Sequence, residues 1–186
     1  MKRLIDLILA TVLVIILLVP MLFIALMIRL TSKGPVLYWS DRVGFANSIY
    51  KMPKFRSMRI DTPEVATHLM SNPEEFLSPI GRFLRQTSLD ELPQMFSILK
   101  GDMSFVGPRP ALFNQEDLIA LRSENDLHKL IPGLTGWAQV NGRDDLSIPE
   151  KVLLEVEYMH NKSFWFDLKI LWLTFLKVIN GKGVSH

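Results

Sequence analysis

The chain has no cysteine, which removes disulfides, thiolate metal sites and cysteine nucleophiles together. A fold without disulfides fits a reducing compartment. An excess of one charge sign is missing as well: 21 Lys and Arg stand against 19 Asp and Glu, a formal charge of +2. A nucleic-acid binder carries a strong basic excess, so no nucleic-acid partner is expected. Disorder is excluded, because 48% of the residues are hydrophobic and supply ample surface to bury. The four histidines, His68, His128, His160 and His186, lack metal-ligand spacing and read as structural or exposed. The most informative absence is local. Between Leu7 and Ile28 there is no charged residue at all.

That apolar run is about 22 residues, roughly 33 Å of helix, enough to cross a bilayer core. Together with a mean hydropathy of +0.21 it implies that part of this 186-residue chain faces lipid. Two features argue against a simple span. Pro20 sits near the middle, where it removes a backbone donor and disfavours helix at Val19. Basic residues flank both ends, Lys2 and Arg3 before the run and Arg29 and Lys33 after it, and the positive-inside rule then assigns both ends to the cytoplasmic side. A re-entrant helix broken at Pro20 satisfies both facts. A kinked span is the competing reading, since membrane helices tolerate proline.

Three regions follow: a membrane helix over 1–33, a globular unit over 34–162, and a helix with its tail over 163–186 that belongs to the same unit. In the last, Ser163 to Asp167 opens a helix ending near Ile179 at Asn180-Gly181. Its wide apolar stripe, with Trp and Phe beside Lys, suits both a core helix and a helix lying at the membrane interface. In the globular unit, Leu37-Tyr38-Trp39 and Ser48-Ile49-Tyr50 read as strands around a Gly44 to Asn47 turn. Thr62-Pro63-Glu64, Asn72-Pro73, Ser78-Pro79, Asn114 to Asp117 and Ser147-Ile148-Pro149-Glu150 read as helix starts, the last running to about His160. The fold class is therefore α+β, mostly helical with a small sheet.

The densest polar segment is Arg85 to Gln94. Ser88-Leu89-Asp90-Glu91 matches a capping box; with Asp90 as N-cap instead, Pro93 falls where no helix hydrogen bond is lost. Either way two carboxylates crowd a helix start, where unpaired N–H groups attract anions. Neighbouring helical residues point about 100° apart, so Asp90 and Glu91 should divide their roles. One could attack phosphorus while the other holds Mg²⁺ or manages a proton. Basic residues surround them in sequence: Lys51, Lys54, Arg56 and Arg59 within nine residues, then Arg82 and Arg85. Arg109 lies between prolines in Gly107-Pro108-Arg109-Pro110, a stiff loop suited to presenting a guanidinium to phosphate. Gly133 to Arg143 is a glycine-rich loop bearing Gln139, Asn141 and Arg143. Together these residues suit chemistry on a phosphate at a lipid surface.

The chain also resembles the bacterial sugar transferases, the monotopic phosphoglycosyl transferases that prime glycan assembly on polyprenol phosphate. The blocks that carry the resemblance, in order, are Lys2-Arg3 with Asp6, Gly34-Pro35-Val36, Arg42-Val43-Gly44, Lys54 to Met58, Thr87 to Gln94, Lys100 to Pro110, Pro132 to Arg143 and Asp167 to Ile170. Asp41 departs from the pattern, where Gln or Glu is usual, without touching a catalytic position. The resemblance implies a catalytic core alone, as in the small members of the family, and a re-entrant N-terminal helix. It implies transfer of a sugar-1-phosphate from a UDP-sugar to polyprenol phosphate with release of UMP, at the cytoplasmic face of the bacterial inner membrane. Asp90 would be the nucleophile, Glu91 its partner in metal or proton handling, and Mg²⁺ would bind beside them. Lys54, Arg56, Arg85, Arg109, Gln139, Asn141 and Arg143 are the candidate substrate-binding residues. The rival readings are a membrane phosphatase, with water as acceptor, and a non-catalytic membrane scaffold. Neither the sugar nor the choice between monomer and homo-oligomer is legible in the sequence.

Overall fold

A helix pairs its backbone donors and acceptors within its own segment, and the apolar run forms one. The computed structural model describes residues 1–62, 73–142 and 145–179. Helix α1 (Lys2–Thr31) is long and apolar enough to cross a membrane by length and composition. It continues through Pro20, so the expected break is not present as a gap in the helix. The proline's fixed φ is compatible with helix, and its ring removes only one donor.

Both ends of α1 dock on the folded unit. Near the start, Ala10 is buried against the cluster of Met95, Ile98 and Phe105. Near the finish, Met21, Ile24 and Ile28 pack with Phe55 and Leu84. Between these patches Ile15, Ile16, Leu18 and Val19 are exposed. The flanking polar residues have tertiary partners that no charge rule foresees. Lys2 donates to the Tyr158 hydroxyl (3.3 Å) and to Asp167, Arg3 donates to the Ile98 and Leu99 carbonyls, and buried Asp6 accepts from the Phe105 amide at 3.2 Å. At the other end Arg56 donates to the Ser32 carbonyl (3.1 Å) and hydroxyl (2.6 Å).

The expected hairpin is present and longer than expected. Strands β1 (Leu37–Val43) and β2 (Ile49–Phe55) pair antiparallel, from Leu37 opposite Phe55 to Val43 opposite Ile49. The period of two puts Ser40 and Arg42 on the face shared by Tyr50, Met52 and Lys54. Tyr50 and Met52 are core residues, so this face turns inward and takes Lys54 with it.

Helices α2 (Gly81–Gln86) and α3 (Gln94–Lys100) bracket a short 3₁₀ turn, Leu89–Glu91. Neither N-cap expected for the acidic segment is formed. Ser88 is left-handed (φ 55°) with no side-chain cap, and α3 begins after Pro93. Pro93 stands at the N-cap position of α3, after the 3₁₀ turn has ended, which avoids the lost hydrogen bond. The Pro79 start is displaced to Gly81, and Pro73 opens only a 3₁₀ turn, Pro73–Phe76. The helix expected at Thr62-Pro63-Glu64 runs into residues outside those described.

Strand β3 (Ser104–Val106) pairs in parallel with β4 (Gly133–Thr135), where the sequence reads as a loop. The glycines there serve close backbone approach: a Cβ on Gly133 would lie 2.1 Å from the Gly107 nitrogen. Between these strands lies α4 (Glu116–Glu124), and beyond them α5 (Trp137–Asn141), α6 (Ile148–Asn161) and α7 (Phe164–Ile179). α6 starts at Ser147 with the capping box complete through Glu150, as its sequence announces. α7 buries Ile170 and leaves Trp165, Trp172, Phe175 and Val178 exposed, so it is at once a core helix and an apolar outer surface. Its expected stop at Asn180-Gly181 lies outside the described residues.

Candidate active site

The left-handed Ser88 and the 3₁₀ turn after it send the two adjacent carboxylates in different directions. Asp90 is buried, with 7% of its surface exposed. The Glu91 Oε1 accepts from Lys54 Nζ at 2.8 Å and from Arg109 Nη2 at 3.1 Å. Three segments distant in sequence therefore meet on one carboxylate: β2, the 3₁₀ turn and the proline-flanked loop after β3.

That loop is itself held. Arg42 donates from Nη1 to the Pro110 carbonyl at 3.1 Å and from Nε to Ser40 Oγ at 3.0 Å. Burial, with Arg109 nearby, pushes its pKa down to about 10, which still leaves it charged at neutral pH. The sequence assigns Arg42 no site role beyond its place in the Arg42-Val43-Gly44 block; a further local signal is its alternation with Ser40 on the inward face of β1.

Burial pushes the Asp90 carboxyl above its ordinary range, and Glu91 adds to this, while Lys54, Arg85 and Arg109 oppose it. Desolvation wins. Lys54 is shifted down by burial against the pull of Glu91 and Asp90. Carboxylates and cations thus share a poorly hydrated space, where electrostatic interactions are stronger than in water.

The two acids open onto different cavities. Asp90 lines one of about 290 Å³ together with Trp39, Arg42, Lys54, Arg56 and Arg85. Glu91 lines another of about 320 Å³ with Arg109 and Gln139 among mostly apolar side chains. Of the sequence-derived candidates, Asp90, Glu91, Lys54 and Arg109 come together at the centre. Arg56 and Arg85 border the first cavity, and Arg56 Nε and Nη1 are buried without a hydrogen-bond partner. Gln139 borders the second cavity. Asn141 does not join them: it is exposed and donates to the Trp137 carbonyl one turn back, at 2.7 Å. Arg143 lies outside the described residues. Among the described residues no group of three or more His, Cys, Asp or Glu gathers as a metal cage.

A family model for bacterial sugar transferases matches residues 1–181, and the chain belongs to that family. It is 41% identical to EpsL, an uncharacterized sugar transferase of Bacillus subtilis, over the whole of this chain and 91% of that protein. It is 42% identical to the UDP-glucose:undecaprenyl-phosphate glucose-1-phosphate transferase of Escherichia coli over 95% of this chain. It is 40% identical to the undecaprenyl-phosphate glucose phosphotransferase of Komagataeibacter xylinus over 96% of this chain. It spans 40% and 36% of the lengths of those last two proteins.

The Asp90 environment makes a stability prediction. A carboxyl whose folded pKa is raised stabilises the fold fully below its unfolded pKa, about 3.9. That contribution is lost as pH rises through the folded value. Asp90→Asn stays neutral, so at pH 7 it should melt above the wild type, on a scale of about 2–4 °C per kcal/mol for a domain of this size. The gap should close as pH falls below about 4. A variant that melts lower than the wild type at pH 7 would contradict the assigned balance of burial over cation attraction.

Proposed function

We propose that this chain transfers a sugar-1-phosphate from a UDP-sugar to a polyprenol phosphate and releases UMP, at the cytoplasmic face of a bacterial inner membrane. The observation that carries the reading is the buried Asp90 facing a basic cavity, beside a Glu91 clamped by Lys54 and Arg109. The names of the Escherichia coli and Komagataeibacter xylinus relatives, with UDP-glucose as donor in the first and undecaprenyl phosphate in both, support the substrate classes.

In the first step an Asp90 carboxylate oxygen attacks the phosphorus that carries the sugar. The bond from that phosphorus to the UMP oxygen breaks, leaving an aspartyl phosphosugar and free UMP. In the second, a phosphate oxygen of the polyprenol phosphate attacks the same phosphorus. The bond to Asp90 breaks, the carboxylate is regenerated, and the sugar leaves on a lipid-linked diphosphate. Splitting one displacement into two through a carboxylate is an established covalent route. Lys54, Arg85 and Arg109 offset the phosphate charge that would otherwise repel the attacking anion. Partial desolvation keeps Asp90 a stronger nucleophile than a hydrated carboxylate.

Two carboxylates, with no third His, Cys, Asp or Glu gathered beside them among the described residues, fit Mg²⁺, which completes its shell with water and substrate phosphate rather than a closed protein cage. Asp90 and Glu91 would hold it, and when bound it neutralises phosphate charge. A water-using phosphatase is disfavoured by the apolar cavity on the Glu91 side, which a soluble acceptor does not require. A scaffold gains nothing from three cations converging on buried acids.

The docking of both ends of α1 on one folded unit supports the re-entrant reading, because a spanning helix would separate its ends by a bilayer. Single cysteines placed near each end of the apolar run, one inserted directly after Met1 and one at Lys33, should both react with a membrane-impermeant thiol reagent only from the cytoplasmic side. Labelling of the Met1 position from the opposite side would rule out re-entry.

The covalent step is tested without lipid. Incubation with UDP-sugar and Mg²⁺ should give a sugar-phosphate adduct on the peptide containing Asp90, seen by mass spectrometry. Asp90→Asn should form none and turn over at background. An adduct on another residue, or full activity in Asp90→Asn, would overturn the assignment.

A further inference from the structure

We infer that the apolar cavity on the Glu91 side is the seat of the acceptor's prenyl chain, with the Gln139 carboxamide placed to bind its phosphate. The inference rests on the two-step reading above and adds a location to it. In-line displacement at phosphorus brings the second nucleophile in from the side the first leaving group vacated. The acceptor phosphate must then sit where the UMP phosphate sat, while its lipid tail needs a separate path. The Asp90 cavity mixes apolar side chains such as Trp39 and Phe55 with Arg42, Lys54, Arg56 and Arg85, so a prenyl chain there would bury several charged groups. The Glu91 cavity has few charged side chains on its walls. It runs from Glu91 and Arg109 past Met95, Leu134, Leu171 and Phe175, built from α3, β4 and α7.

Two observations select a prenyl phosphate as the occupant. The first is charge and continuity. Arg109 stands at the end shared with the carboxylates, and Lys177 also lines the cavity, an arrangement complementary to a phosphate dianion. At α7 the lining passes into the helix's exposed apolar face, where Phe175 and Val178 belong to both surfaces. A chain leaving the cavity across α7 meets a surface already suited to lipid. The second is an unmet polar group. Both the Nε2 and Oε1 of Gln139 are buried without a hydrogen-bond partner, in a cavity that Gln139 lines. A buried amide left unpaired is costly, and such groups are rare unless something else satisfies them. The backbone makes room for it, since a Cβ on Gly136 would lie 2.7 Å from the Gln139 Oε1. On the cavity wall the Thr135 and Thr174 hydroxyls bond at 2.7 Å, tying β4 to α7.

The test separates acceptor binding from donor chemistry. Leu134→Trp fills the cavity, and Phe175→Glu puts a charge at its mouth on a half-exposed position that folding tolerates. Each should raise the KM for undecaprenyl phosphate about tenfold or more, while the UMP released per active site in the absence of lipid stays at the wild-type amount. In parallel, a prenyl phosphate carrying a diazirine on its first isoprene units should crosslink to peptides of 133–141 or 164–179 in the full-length protein in detergent. An unchanged acceptor KM in both variants overturns the inference, as does crosslinking confined to α1. Loss of lipid-free UMP release in both folded variants also overturns it, because the cavity would then serve the donor. If the wild type makes lipid product but releases no UMP without lipid, the covalent reading fails, and the crosslink alone then decides the location.

Discussion

The Glu91 carboxylate is the junction on which the site depends. Lys54 reaches it from β2, Arg109 from the loop after β3, and Glu91 itself stands on a 3₁₀ turn. Each cation is largely withdrawn from water, so removing the shared acid would leave positive charge poorly compensated in a low-dielectric space. With Glu91 occupied in this way, the adjacent Asp90 is left facing the other direction, buried and shifted toward protonation. The division of labour between neighbouring carboxylates thus comes from backbone geometry at Ser88 and from who holds Glu91. The acids themselves are chemically alike.

The apolar helix α1 is part of the same construction. Asp6 accepts from the amide of Phe105 on β3, and Arg3 covers carbonyls at the end of α3. β3 leads directly into the loop that presents Arg109, and α3 follows the turn that presents Asp90 and Glu91. The first residues of α1 therefore brace both elements that carry the charged groups of the candidate site. At the other end, Arg56 bridges Ser32 to the rim of the Asp90 cavity. An apolar helix that could have served only as an anchor instead touches the scaffold of the site twice.

Features whose cause is local were legible in the sequence. Ser147 to Glu150 contains every group its capping box needs, so α6 starts where expected. The hairpin, α4 and α7 follow from turn residues, cap residues and apolar periodicity, and the carboxylate pair with its basic neighbours stood out by composition. What was not legible depends on distant partners. Ser88 to Glu91 has the same cap pattern as Ser147 to Glu150, yet Pro93 and the left-handed Ser88 give a 3₁₀ turn. Gly133–Thr135 is a strand only because Ser104–Val106 lies beside it, and three residues carry no period of their own. Arg42 earns its role from a carbonyl 68 residues away. The split of the site into a basic and an apolar cavity needed all of these contacts at once.

The central claim is that the donor half of the reaction completes on the protein before any acceptor arrives. Isotope exchange tests this most directly: radiolabelled UMP incubated with the protein, unlabelled UDP-sugar and Mg²⁺, in strict absence of polyprenol phosphate. Reversal of the first step should return label to UDP-sugar, and Asp90→Asn should abolish the exchange. An active wild-type protein that incorporates no label until lipid is added would contradict the account and require direct transfer from donor to acceptor.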